Sequence, residues 1–205
     1  MKTSAFLAAL MASVAFLPIQ AEAQQISFGL IKTNPSTCPF KPSGSVVDRS
    51  FGTVESLTVN VTGLPPNTDF DLFNIEVPHA PFGLAWYLGD IETNSKGNGI
   101  GIFVGRFQKE TFIISPANPT LVKPFLPPPN IFRDPPAFVP EATTGIQTNP
   151  VQIYHLGLWF NDPNDAVKAG CAFTRTPFNG EHNAGPQILN TGEFPDNAGP
   201  LLQLK

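Results

Sequence analysis

The chain reads as an all-β protein built as an antiparallel sandwich, and three observations predict this. Short runs of β-branched and aromatic residues alternate with polar ones at period two, clearest in Ser56–Thr62 (SLTVNVT). Gly, Asn and Pro punctuate those runs at turn spacing. No stretch carries a 3.6-residue apolar period long enough to build a helical domain.

Taken in order, Met1–Gln25 begins with a positive Lys2, an apolar run of 13 residues from Ala5 to Leu17, and the small residues of Ala21-Glu22-Ala23. That is the grammar of a cleavable signal peptide over residues 1–23, with the mature chain starting at Gln24. A spanning helix needs about 20 apolar residues, and Pro18, Gln20 and Glu22 cut this run short. The expectation is a secreted or periplasmic protein with no membrane span after cleavage, and a single β domain over 24–205. Charged residues make up 14% of the chain and the net charge is −4. Such a surface does not suit nucleic acid or anionic membrane, which select basic patches.

The two cysteines, Cys38 and Cys171, are expected to form a disulfide, because an isolated pair in an exported protein bridges. In the chain-entropy model closing so long a loop is worth about 4–5 kcal/mol. Gln25–Ile31 is a candidate first strand, followed by a loop holding Cys38. After Ser56–Thr62, Gly63–Asn67 is a turn and Phe70–Val77 resumes extended structure, with its alternation slipping between Leu72 and Phe73 as at a bulge. Phe82–Leu88, Ile100–Phe107 and Thr111–Ser115 continue a meander. Pro116–Pro150 holds ten prolines in 35 residues, interspersed with Phe125, Phe132 and Phe138. It reads as a Pro-rich excursion, either pinned by its aromatics or a surface loop. Val151–Phe160 is a central strand, and Asp162–Ala169 a short helix capped by Asp162 with Pro163 at its first position. Ile188-Leu189 anchors the tail.

Leu64, Pro66, Thr68 and Phe70 resemble the strand–corner–strand pattern L-x-P-x-T-x-Y of fibronectin-type and immunoglobulin-like sandwiches, with Phe70 in place of the tyrosine. The resemblance implies an immunoglobulin-like sandwich. Together GLPPNTDFDLF, PFGLAWYLGDIETNSKG, GRFQKETFIISP, HLGLWFNDPNDAVKAGC and TPFNGEHNAGPQILNT resemble an uncharacterised family of secreted bacterial proteins, over roughly residues 56–199. It implies bacterial export and transfers no site residues.

No complete catalytic or cofactor motif is present: GxSxG, SxxK, HExxH, GxGxxG and a P-loop are all absent. Asp90 and Glu92 fall on one strand face beside the aromatic pair Trp86-Tyr87. Two carboxylates beside aromatics suit sugar binding or glycoside hydrolysis, and equally a solvated strand face. Arg106 is expected to pair with Glu92 or Glu110. His79, His155 and His182 form a legitimate zinc or copper set without ligand spacing, and His155 reads more simply as a core imidazole bonded to a backbone carbonyl. Asn161–Asp165 offers oxygens to calcium but departs from the EF-hand pattern. No cofactor is therefore expected, with zinc or calcium the ones to consider. The ligand-facing candidates are Trp86, Tyr87, Arg106, His155 and Trp159. The favoured reading is a non-enzymatic binding or envelope-associated module for carbohydrate or another extracellular protein. Its rival is an extracytoplasmic hydrolase or metal-dependent enzyme using Asp90, Glu92, His155 and His182.

Overall fold

The computed structural model describes residues 24–34, 36–83, 85–107, 154–177 and 183–204. The signal segment, the Thr111–Ser115 strand, the Pro-rich excursion, Glu110 and His182 lie outside them. Among the described residues the strands are β1 (Gln24–Lys32), β2 (Ser43–Ser50), β3 (Glu55–Thr62), β4 (Asp69–Ile75), β5 (Ala85–Glu92), β6 (Gly99–Gly105), β7 (His155–Phe160), β8 (Thr176–Pro177), β9 (Asn183–Ala184) and β10 (Gln187–Asn190). One short helix, α1 (Pro163–Lys168), follows β7, and a 3-10 turn spans Pro200–Gln203.

Eight strands form one antiparallel sheet in the order β5-β4-β7-β10-β1-β2-β3-β6, curled until it is nearly barrel-shaped. β1 joins its two halves. Gln24–Leu30 pairs with β2, whereas Ile31 and Lys32 pair with β10. We call β5-β4-β7-β10 the front half and β1-β2-β3-β6 the back half. The sheet comes near closure where the Asn94–Gly97 turn links β5 to β6. There Asn94 accepts from the backbone N–H groups of Lys96 and Asn98 through Oδ1. Phe103 fills the seam: its ring occupies the space a side chain at Gly89 or Gly101 would need, and Gly89 has φ +144°.

Period-two alternation decides what lies inside. Val46, Leu57, Val59 and Val61 of the back half meet Phe70, Leu72, Ile91, Leu156, Leu158 and Phe160 of the front half in one buried cluster. Each fully buried side chain of this size contributes about 1.5–3 kcal/mol. The anticipated slip in β4 is a register shift between Leu72 and Phe73, with Leu88 as the extra residue on β5. β7 is central, paired with β4 and β10. Ile188 and Leu189 are fully buried.

Cys38 and Cys171 are bonded, closing a loop of 133 residues beside α1. Asp162 caps α1 by accepting from the Asn164 N–H at 2.7 Å, so its carboxylate has a structural task without any ion. No described helix is long and apolar enough to cross a membrane. Sequence reasoning missed β2, GSVVDRS in its core, and assigned no strand to β8, β9 or β10. Small and charged residues hide the period of β2, because the inward series Val46, Asp48, Ser50 is only one-third apolar.

Candidate functional site

The outward side of the front half carries a second, polar surface whose layout follows from register. Phe70, Leu72, Ile91, Leu158 and Phe160 belong to the core, so the residues between them face out. Asp69 stands opposite Glu92, and Asp71 opposite both Asp90 and Trp159. Past the bulge, Phe73 pairs with Tyr87 and Gly157, and Ile75 with Ala85 and His155. Four rows result. The first two are acidic, the third aromatic and the fourth buried beneath neighbouring loops.

The acidic rows put carboxylates directly opposite one another, which is unfavourable in an antiparallel pair. Asp71 is 1% exposed, whereas Asp90 and Glu92 are exposed. Burial first, and then the neighbouring Asp90 carboxylate, push the Asp71 carboxyl up to about 7. Asp69 is raised for the same reasons. Tyr87 donates its hydroxyl to Asp90, and burial together with this bond raises the phenol as well. Among the described residues the ion pairs are His79–Asp196, Arg106–Glu55 and Lys168–Asp165, and none reaches the four acids of these rows.

Asn161 continues the first row. Its backbone N–H donates to the Asp69 carbonyl at 3.1 Å and its Nδ2 to Asp69 Oδ2 at 3.3 Å. It also lines a cleft of about 550 Å³ with Asp162, Asn164, Phe173, Arg175 and Asn183. Phe173 is 59% exposed there, with the Arg175 guanidinium 5.9 Å above its ring. Four buried polar atoms of the first two rows have no hydrogen-bond partner: Asp71 Oδ2, Asn161 Oδ1, Trp159 Nε1 and Gln187 Nε2. Folded proteins pair the great majority of such atoms; Asp48 Oδ1 and Oδ2 and Asn74 Oδ1, in the interior, are likewise without a hydrogen-bond partner.

The residues singled out from sequence are only partly brought together. Asp90, Glu92 and Tyr87 share this face. Trp86 alternates to the other side, in register with Asn74. Trp159 is in the second row but buried, its indole edge-on to Phe73 and Phe82 and lying over Gly157, where any side chain would collide with it. Arg106 does not pair with Glu92, and Glu110 lies outside the described residues. Its guanidinium donates to the Thr53 carbonyl and lies 3.7 Å from the buried Glu55, because β6 runs beside β3 rather than beside the acids of β5.

His155 is fully buried. Nδ1 meets Thr191 Oγ1 at 2.9 Å and Nε2 the carbonyls of Pro195 and Asp196 at 3.2 Å, and burial lowers its pKa. His79 is exposed and pairs with Asp196 at 3.1 Å. Among the described residues no three His, Cys, Asp or Glu side chains are arranged to hold a metal ion. Sequence reasoning missed Asp69 and Asp71, and weighed Asn161 only as an oxygen donor to calcium. The signal available was the D-x-D of Asp69–Asp71 alternating with core Phe70 and Leu72, matching D-x-E on β5. No protein-family model, curated protein or solved structure matches this chain.

Proposed function

We propose that the protein is an extracytoplasmic binding module whose ligand-contacting surface is the acidic outward face of the front half and the adjoining cleft. The observation that carries this reading is the clustering of unpartnered buried polar atoms, Asp71 Oδ2 and Asn161 Oδ1 among them, beside exposed Asp90, Glu92 and Phe173. A ligand that supplies their missing partners gains hydrogen bonds which the free protein cannot make. Export is supported by the signal-like N-terminus and the Cys38–Cys171 bridge, which persists in oxidising compartments. Membership of a secreted bacterial family and an immunoglobulin-like frame are part of the same reading. The frame is supported by two sheet halves facing across one core, and by the corner in which Thr68 Oγ1 donates to the Pro66 carbonyl.

The test is amide chemical-shift mapping of the chain with soluble envelope and plant polysaccharide fragments, neutral and charged. Shifts confined to residues 69–73, 87–92, 161–164 and 173–175 support the reading. Shifts centred elsewhere, or none, overturn it.

A hydrolase is favoured by one observation: a carboxyl near pH 7 at Asp71 beside the exposed Asp90 is the split pattern of an acid–base pair. In that reading Asp90 and Glu92 act from the same face, and His155 has only a structural part because both ring nitrogens are engaged. Release of reducing ends from a polysaccharide, abolished by Asp71→Asn, would carry it; no turnover on any fragment that binds would end it.

A further inference from the structure

We propose that the cleft beside the acidic rows seats a neutral pyranose ring of an oligosaccharide, its C–H face on Phe173 and its hydroxyls on Asn161, Arg175 and Asn183. The inference rests on the binding reading above and narrows its ligand class.

The aromatic wall of the cleft is held at both ends. Phe173 and Arg175 alternate on the extended segment between Cys171 and β8, which puts both side chains on one side of it, the guanidinium 5.9 Å from the ring centre. At one end the bridge to Cys38 fixes Cys171, and the Ala172 N–H donates to Thr37 Oγ1 at 3.1 Å. At the other, Thr176 Oγ1 donates to the Gly185 carbonyl at 2.8 Å, and the Gly185 N–H donates to the Phe160 carbonyl at 2.7 Å. Gly185 packs so closely that a side chain there would meet Phe160 Cβ at 2.8 Å and Pro163 Cα at 3.3 Å. These contacts seat β9, and with it Asn183, against the corner between β7 and α1. An exposed ring on a segment pinned in this way loses little freedom when a ligand stacks on it.

The lining then sets the ligand class. Its two charged residues, Asp162 and Arg175, cancel. Asp162 Oδ1 is taken by the Asn164 N–H and Nδ2, and Asn161 Nδ2 is taken by Asp69. The groups left for a ligand are Asn161 Oδ1, the Asn183 amide and the Arg175 guanidinium, none with a hydrogen-bond partner among the described residues. They are donors and acceptors together, which suits hydroxyl groups, since each hydroxyl both gives and takes a hydrogen bond. An anionic ligand would lie beside the carboxylates of the first two rows with one guanidinium to hold it. A cationic ligand would meet Arg175. A purely apolar one would find only Phe173 and Pro163. A pyranose has an apolar C–H face and a rim of hydroxyls, and a cleft of about 550 Å³ is of the size that small-ligand sites have.

Titration calorimetry of the disulfide-bonded full chain with cellotetraose, a β-1,4-linked N-acetylglucosamine tetramer and tetragalacturonate tests this. The expected result is binding of at least one neutral tetramer, constant within about twofold between low and high salt because no net charge is engaged. Phe173→Ala should weaken it about tenfold or more with the thermal transition intact, the ring being 59% exposed. Arg175→Gln should weaken it by a smaller factor. Whichever neutral tetramer binds names the sugar. Preference for tetragalacturonate, or neutral binding that Phe173→Ala leaves untouched, overturns the neutral-sugar seat while leaving the binding module standing. Failure of all three, with face-specific shifts from another fragment in the mapping experiment, likewise sinks only this inference. Failure in both experiments sinks the two together.

Discussion

Carboxylates crowd together in two regions of this molecule, and the regions are finished differently. Inside the barrel, Asp48 and Glu55 are both fully buried near one end of β2 and β3. Glu55 accepts the Phe107 N–H at 2.5 Å and has Arg106 at 3.7 Å, so the chain brings its own donors to that place. On the outward face of the front half, Asp69, Asp71, Asp90 and Glu92 have no such cation among the described residues, and their outer edge is open to solvent. The contrast is between an acid given a cation by the fold and acids given none. Burial perturbs both groups alike: Asp48 and Asp71 are each pushed up to about 7, chiefly by desolvation and then by a neighbouring carboxylate. What separates the regions is the Arg106 guanidinium beside Glu55; Asp48 itself has no ion pair.

The largest effect should come from breaking the interior set. Glu55→Ala strands the Phe107 N–H and removes the buried partner of Arg106, and should lower stability by about 3 kcal/mol in urea unfolding. A loss below about 1 kcal/mol would erase the distinction between the regions.

Next is the pH dependence that the regions share. A carboxyl whose folded pKa is raised holds its proton longer in the native state. Its stabilising contribution is complete below the unfolded value of 3.8 and is lost as pH rises through about 7. Unfolding free energy should therefore fall between pH 5 and pH 8, by roughly 2–3 kcal/mol for each such group. Asp48→Asn and Asp71→Asn should each flatten the profile.

A smaller effect is expected from Asp90→Asn. Relieving one cross-strand pair of like charges should raise stability by about 0.5 kcal/mol, a gain that high salt removes. A loss of stability would mean that Asp90 is structurally employed like Glu55. Smallest of all, Phe173→Ala should leave the thermal transition within about 0.5 kcal/mol of the parent. It should still weaken ligand binding measured by titration, because the ring is exposed at the cleft.

Much of the fold was legible in the chain because local pattern and tertiary environment agree. β3 alternates cleanly since one side meets the core and the other does not. The slip at Leu72–Phe73 showed as two adjacent apolar residues and is a register shift. Asp162 and Pro163 announced α1. β2 was illegible because Asp48 and Ser50 take inward positions, a choice local pattern does not encode. The site was half legible. D-x-E on β5 stood out beside Trp86-Tyr87, whereas Asp69 and Asp71 looked like ordinary polar positions on a strand. Only pairing across strands shows that they face the other two acids.

The sequence by itself determined that the chain is β-rich, that its cysteines are a natural pair, and which residues of each clean strand share a side, because alternation is a property of the backbone. Tertiary structure alone decided which strands are neighbours, that Arg106 goes to Glu55 rather than Glu92, which carbonyls the core His155 meets, that Trp159 is interior, and that four acids meet on one face. Register and strand order arise from contacts between residues far apart in the chain, and no local period carries that information.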